Sequence, residues 1–340
     1  MTPGNDPQKV DSLPHDLIFE ILSWLPVESL LRFKTVCKFW RDTIQEHYFT
    51  NLNMRRRSLI DIDIMWEEYE RDSGDDTKFF TAGSSCNGIL LERCRLTNKY
   101  RVRNPLTNHV LQLPSTNHTG PAKILLTRFV VRTQEYKMVS YHWDKTTKRS
   151  GFEVLTIGTD STWRPLDGPT NLHFVDHEVA GRLYDDVFYV RGWSIAGDQI
   201  VICLDMVTEQ SKEVAAPLCL FPAWRNARVS EWRGKFSMAT MVEKQIHACV
   251  LEDYKKSKWG VQKIVIAELF LKDHPQLIEY EIVGLVGNKL RVIDRWRKMY
   301  WEYDINTGNF RCKYSAPASA NKRFVGYTPS MVYFRGMQPE

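Results

Sequence analysis

Near residue 50 the chain changes its hydrophobic period, so its two parts cannot share one kind of element. From Leu13 to Tyr48 the apolar residues follow helical spacing. Leu17, Ile18, Ile21, Leu22 and Leu25 form one broad stripe on a helix. Pro14 suits a helix start, Asp16 complements the dipole of the first turn, and Pro26 ends this helix and can begin the next. Leu30, Leu31 and Phe33 supply a second short helix, and Val36, Trp40 and Ile44, every fourth residue, a third. Three helices of about three turns cannot bury all these side chains among themselves. The surplus needs a partner, either the rest of the chain or another protein.

Beyond residue 55, short runs rich in Val, Ile, Tyr and Phe alternate with Gly, Pro, Asn and Asp. Ser58–Ile64 alternates with period two, and Glu153–Ile157, Val187–Val190, Gln199–Leu204 and Ile264–Ala267 read as further strands. No long amphipathic helix interrupts them, which argues for an all-β sandwich, barrel or propeller. A degenerate repeat favours the propeller. Gly88, Gly181, Gly234 and Gly287 each open a strand. Three of the units then reach a polar turn, Asn104–Thr107, Asp205–Glu209 or Asp304–Gly308, before Leu113-Pro114, Ala216-Pro217 or Ala316-Pro317. Asp and Thr suit such turns because their side chains bond nearby backbone groups. Units of about 40 to 50 residues match propeller blades and allow about six of them.

The totals exclude several classes. The 340 residues are 43% hydrophobic, enough for a sizeable core, and a net charge of +5 is too mild to imply nucleic acid. The N-terminus lacks the apolar core of a signal peptide, and no apolar run is long enough to span a bilayer. The seven scattered cysteines then read as reduced thiols of a cytoplasmic or nuclear protein.

The run from Leu13-Pro14 through Leu25-Pro26, Leu30-Leu31-Arg32-Phe33 and Val36-Cys37-Lys38-Phe39-Trp40 resembles an F-box of the large plant families. The body resembles the F-box-associated domain (kelch-like, type 1) of the same proteins. Its marks are Cys86-Asn87-Gly88, Asn104-Pro105-Leu106-Thr107, Gly158-Thr159-Asp160 before Trp163-Arg164, and Tyr327-Thr328-Pro329-Ser330-Met331. One departure is Met65–Lys78, highly charged where the family returns to strand, and read as an exposed loop. The expected fold is α+β and multidomain: a disordered N-terminus (1–10), a three-helix F-box (11–52), an all-β propeller-like domain of about six blades (53–335) and a C-terminal tail (336–340).

The resemblance implies a substrate-recognition subunit of a Skp-cullin-F-box (SCF) ubiquitin ligase, itself non-catalytic. The F-box would dock a Skp-type adaptor, and through it a cullin and a RING subunit, while the β domain holds a target protein for ubiquitination. Leu13, Pro14, Leu17, Ile21, Leu22, Leu25, Pro26, Leu30, Leu31, Val36 and Trp40 match the family's contact or core positions, and the sequence does not separate the two. Trp40 is the expected anchor, since large aromatics dominate such interfaces. No cofactor, metal, nucleic acid or membrane is expected.

A catalytic reading finds little support. No Gly-x-Ser-x-Gly elbow or dinucleotide fingerprint occurs, and Gly284-x-x-Gly287-Asn288-Lys289 lacks P-loop spacing. His173 and His177 would pair on a helix but are flanked by strand-like residues; Asp185-Asp186 could be glycosidase acids or a solvated turn; Arg55-Arg56-Arg57 could be a nuclear signal or a link. Of the tryptophans at 163, 193, 224, 232, 259, 296 and 301, most are expected to pack blades; Trp224, beside Pro222 and Arg225, is the candidate for target binding. A propeller hydrolase with a helical cap, and an F-box module that works without a cullin, stay open as alternatives. The first requires acids or a Ser/His pair converging on the channel.

Overall fold

The computed structural model describes residues 13–58, 63–68, 80–94, 96–117, 122–144, 149–168, 172–175, 182–217, 227–242, 245–265, 281–294, 299–315, 322–327 and 329–340. It opens with four helices: α1 (His15–Ser23), α2 (Val27–Phe33), α3 (Lys38–Gln45) and α4 (His47–Ser58). Pro14 and Pro26 cap α1 and α2 with φ of −54° and −58°, the value their rings impose. Cys37 caps α3, its sulfur accepting from Trp40 N–H. The fourth helix lies beyond the three expected, and it takes in Arg55–Arg57, read from the sequence as a link. It braces α1. Asn53 Nδ2 donates to the carbonyls of Ser23 and Leu25, both at 2.9 Å, satisfying groups that the end of α1 leaves open.

The body begins with β1 (Asp63–Glu68), so Met65–Glu68 is strand where a charged loop was expected; residues 69–78 of that stretch lie outside the described residues. Five antiparallel units follow. The first has β2 (Phe80–Cys86), β3 (Ile89–Cys94), β4 (Tyr100–Asn104) and β5 (His109–Gln112). The second has β6 (Ala122–Val130), β7 (Glu135–Asp144), β8 (Arg149–Thr156) and β9 (Arg164–Leu166). In the third, β10 (Leu172–Val175) and β11 (Arg182–Tyr184) both pair with β12 (Val187–Ser194), followed by β13 (Gln199–Asp205) and β14 (Gln210–Ala215). The fourth has β15 (Arg228–Trp232), β16 (Lys235–Val242), β17 (Gln245–Asp253) and β18 (Lys258–Val265). The fifth has β19 (Glu281–Val286), β20 (Lys289–Asp294), β21 (Met299–Asp304) and β22 (Phe310–Ser315). Finally β23 (Lys322–Tyr327) pairs with β1, Asp63 opposite Tyr327, and joins the two ends of the body. Units four and five meet through a parallel pairing of β15 with β19, which puts the first strand of each unit innermost. This is a propeller-like body.

The repeat seen in the sequence has a structural cause, with one shift. The two-residue turn lies between the first and second strands rather than at the start of the unit. Asn87-Gly88, Asp185-Asp186 and Arg233-Gly234 all have positive φ at both positions, the requirement of a type I′ hairpin. In the third unit this turn is Asp185-Asp186, and Gly181 lies outside the described residues. The polar turns join the third and fourth strands. Asp205 Oδ1 accepts from the N–H groups of Val207 and Thr208, and Asp304 Oδ1 from those of Asn306 and Thr307. Asn104 Oδ1 accepts from Leu106 N–H in the same way. In an antiparallel meander both kinds of turn fall at one end of each unit. Residues 336–340, expected as a tail, contain β24 (Gln338–Pro339), which extends the first unit beyond β5.

Candidate functional site

The four helices close a small core of Leu22, Val27, Leu30, Ile44 and Phe49, each 1% exposed or less. Their remaining apolar residues stay outside it. Leu13, Leu17, Ile21 and Trp24 are each more than half exposed, as is Val36. Leu17, Ile21 and Trp24 are spaced i, i+4 and i+7, one face of α1 and its cap. Six of the eleven large apolar residues exposed among the described residues lie between Leu13 and Tyr48. Exposed apolar residues so concentrated in a short segment are a feature of interaction surfaces.

The structure thus divides the residues that the sequence left together. Leu13, Pro14, Leu17, Ile21, Pro26 and Val36 are on the surface. Leu22 and Leu30 are wholly buried and hold the helices together, so they cannot face a partner. Leu25, Leu31 and Trp40 are half-buried against that core, and Trp40 packs edge-on to Phe33 at 5.3 Å. Trp40 is therefore partly a structural residue, and the more exposed tryptophan of the helical segment is Trp24, which the sequence reading passed over. Its indole donates to Glu20 Oε1 at 3.0 Å, and Arg56 lies 4.5 Å above its ring. Arg56 also bonds Glu20 at 3.0 Å and the Ser23 hydroxyl, tying α4 to this face. The Arg56 guanidinium, and after it the Trp24 N–H, holds the Glu20 carboxyl below its ordinary range.

The helices rest on the turn end of the first two units. Leu106, in the turn after β4, packs against the helical core, and Tyr136, at the start of β7, donates to Asn51 of α4 at 3.4 Å. The sequence marks of the body converge here. Asn104 Nδ2 donates to the carbonyls of Ser330 and Val332, both at 2.9 Å. Ser330 Oγ donates to the Asn87 carbonyl at 2.5 Å. Gly88 has φ +77°, and a Cβ there would lie 2.7 Å from the Ser330 backbone nitrogen. Nearby, Asp160 Oδ2 accepts from Thr156 N–H and Arg164, and Trp163 donates to the Pro114 carbonyl.

The residues weighed for chemistry have structural roles or lie outside the described residues. Asp186 accepts from the N–H groups of Val131 and Arg132 and from the Arg132 guanidinium, so it fixes the turn after β6. Gly287-Asn288 is the hairpin between β19 and β20. Trp163, Trp232, Trp259 and Trp301 pack in the cores between strands, while Arg191 lies over the Trp193 ring. Trp224, Trp296, His177 and the His173 side chain lie outside the described residues. Among the described residues no three His, Cys, Asp or Glu side chains form a metal-binding group, and no helix is long and apolar enough to cross a membrane.

Comparison with known proteins agrees with this architecture. The F-box domain family matches residues 10–52, and the F-box associated beta propeller domain family matches residues 42–293. Among curated relatives, putative F-box protein At3g52320 of Arabidopsis thaliana is 25% identical over 75% of this chain and 73% of its own length. Putative F-box protein At5g42430 of the same plant is 25% identical over 89% of this chain and 86% of its own. Among solved structures, the chain aligns with the β-propeller domain of the trilobed protease from Pyrococcus furiosus at a TM-score of 0.37 and 10% identity, covering 70% of this chain and 85% of that one. A prolyl endopeptidase aligns at a TM-score of 0.40 and 13% identity over 73% of this chain, which spans 36% of the endopeptidase chain. An F-box joined to an F-box associated β-propeller is a substrate-recognition arrangement, and this chain belongs to the F-box proteins that carry that domain.

Proposed function

We propose that the chain is the substrate-recognition subunit of an SCF-type ubiquitin ligase. Residues 11–52 dock a Skp-type adaptor, which brings a cullin and a RING subunit, and residues 53–335 hold a target protein. The observation that carries this reading is the exposed stripe Leu13, Leu17, Ile21 and Trp24, which the buried helical core leaves uncovered. The mechanism is proximity. A target held beside the ubiquitin donor meets it at a high effective concentration, and the receptor need not contribute a nucleophile. The target end of the propeller is the one away from the helices. There Leu96 and Ile195, in turns between the second and third strands of their units, are exposed. The test is adaptor binding: a purified Skp-type adaptor co-elutes with the wild-type chain and fails to co-elute with Leu17→Asp/Ile21→Asp.

A further inference from the structure

The C-terminal segment makes two sets of contacts at once. Met331 is 7% exposed and sits in the helical core with Leu22, Val27, Leu30, Ile44 and Phe49. Its neighbours Val332, Phe334 and Met337 are buried in a different core, among Ile89, Leu91, Val102, Tyr136, Leu155 and Trp163 of the first two units. So one side chain of the propeller's last segment completes the helical core, and the next packs into the core of the first two units. The segment is anchored along its length. Asn104 and Asn87 hold Ser330, as described, and β24 pairs with β5. Glu340 closes the run. Its backbone N–H donates to the Asn108 carbonyl, and its carboxylate meets Arg101 at 2.8 Å; Arg101 in turn bonds the buried Glu92 at 2.6 Å.

We propose that Ser330–Glu340 is a coupling strap, which makes the F-box and the first two blades one cooperative unit and fixes the adaptor face relative to the target end. A four-helix segment this small has little core of its own, so a side chain supplied by the other domain changes its local stability out of proportion. Asn104 and Met331 are positioning residues in this scheme: the first holds the strap in place from the propeller side, and the second delivers it to the F-box.

The test is hydrogen exchange in the full-length chain, comparing wild type with Met331→Asp, Met331→Leu and Asn104→Ala. Asn104 Nδ2 holds the strap while its Oδ1 holds Leu106 N–H, and Leu106 packs on the helical core, so Asn104→Asp, which keeps the acceptor and loses the donor, is measured beside Asn104→Ala to isolate the strap, and wild-type protection of α1–α4 in Asn104→Asp would also overturn the proposal. The expected result is that Met331→Asp and Asn104→Ala speed exchange in α1–α4 by at least about tenfold while units three to five keep wild-type protection, and that Met331→Leu stays near wild type. Unchanged protection of α1–α4 in Asn104→Ala would overturn the proposal. So would equal loss of protection across all units, which would mean general destabilisation. Adaptor affinity is not the readout, so failure of the ligase reading would leave this result interpretable.

Discussion

Arg164 grips Glu209 with two parallel bonds, 2.6 and 3.0 Å long, and the two residues belong to different blades. Arg164 starts β9 of the second unit; Glu209 sits in the polar turn of the third, where Lys137 reaches it from β7 at 2.8 Å. The repeated turns therefore do more than reverse the chain: one of them latches neighbouring blades.

That latch gives a pH dependence. The Arg164 guanidinium, helped by the Lys137 ammonium, holds the Glu209 carboxyl down at about 2 against an ordinary 4.5. A lowered folded-state value stabilises the protein above pH 4.5, and the contribution is lost as pH falls from 4.5 towards 2. The shift is equivalent to at most about 3 kcal/mol, and solvent around the partly exposed Arg164 reduces this to about 1–2 kcal/mol. Glu209→Gln is expected to lose that amount at pH 7 and almost nothing near pH 2, checked by denaturant unfolding across the range.

Gly88 and Gly197 make a matched pair. Both have positive φ, +77° and +87°, but only Gly88 has Ser330 against the place a Cβ would occupy. Gly197→Ala is expected to cost about 1 kcal/mol, from backbone conformation alone. Gly88→Ala is expected to cost about 2–4 kcal/mol, because the Ser330 strap must also move. Urea midpoints of the two variants give the comparison.

Leu30 and Leu17 are both apolar helix residues of the F-box, and the structure gives them opposite roles. Leu30→Ala empties a fully buried position and is expected to destabilise the F-box by about 2–5 kcal/mol. Leu17→Ala, at a residue 51% exposed, is expected to change stability by less than about 0.5 kcal/mol. Hydrogen exchange of α1–α4 separates them.

Trp24 is expected to behave like Leu17 in stability and unlike it in size of effect on binding. Its truncation to Ala removes a ring held in place by Glu20 and Arg56, already oriented before any partner arrives. Adaptor affinity should fall by about tenfold or more, as for a pre-ordered aromatic at an interface, with thermal stability nearly unchanged. Calorimetric titration with purified adaptor measures it.

Much of this was legible in the sequence, for local reasons. Helical spacing located α1 to α3, the two prolines marked the starts of α1 and α2, and Asp205 and Asp304 announced their turns because an Asx turn is written within five residues. The split between contact and core was not legible. A helical period marks Leu17 and Leu22 alike as apolar, and only the packing of α2 to α4 shows which is covered. The fourth helix was missed because His47–Ser58 has no clear apolar stripe and is held by Asn53 and Arg56 bonding back to α1. The Met65–Glu68 strand was missed because its partner, β23, lies at the far end of the body. Ser330-Met331 was recognisable as a family mark, but its work depends on Asn87, Asn104 and the helical core, more than 200 residues away.

The exposed face of α1 is proposed to dock an adaptor, and the affinity of a purified Skp-type adaptor for the full-length chain and for Leu17→Asp/Ile21→Asp tests this. Both residues are more than half exposed, so the variant should keep its fold, which circular dichroism and the thermal midpoint would confirm. Tight binding by the wild type is expected, with a loss of at least about a hundredfold in the variant, since two charges would enter a desolvated interface. Affinities within about threefold of each other, or no binding by the wild type, would contradict it.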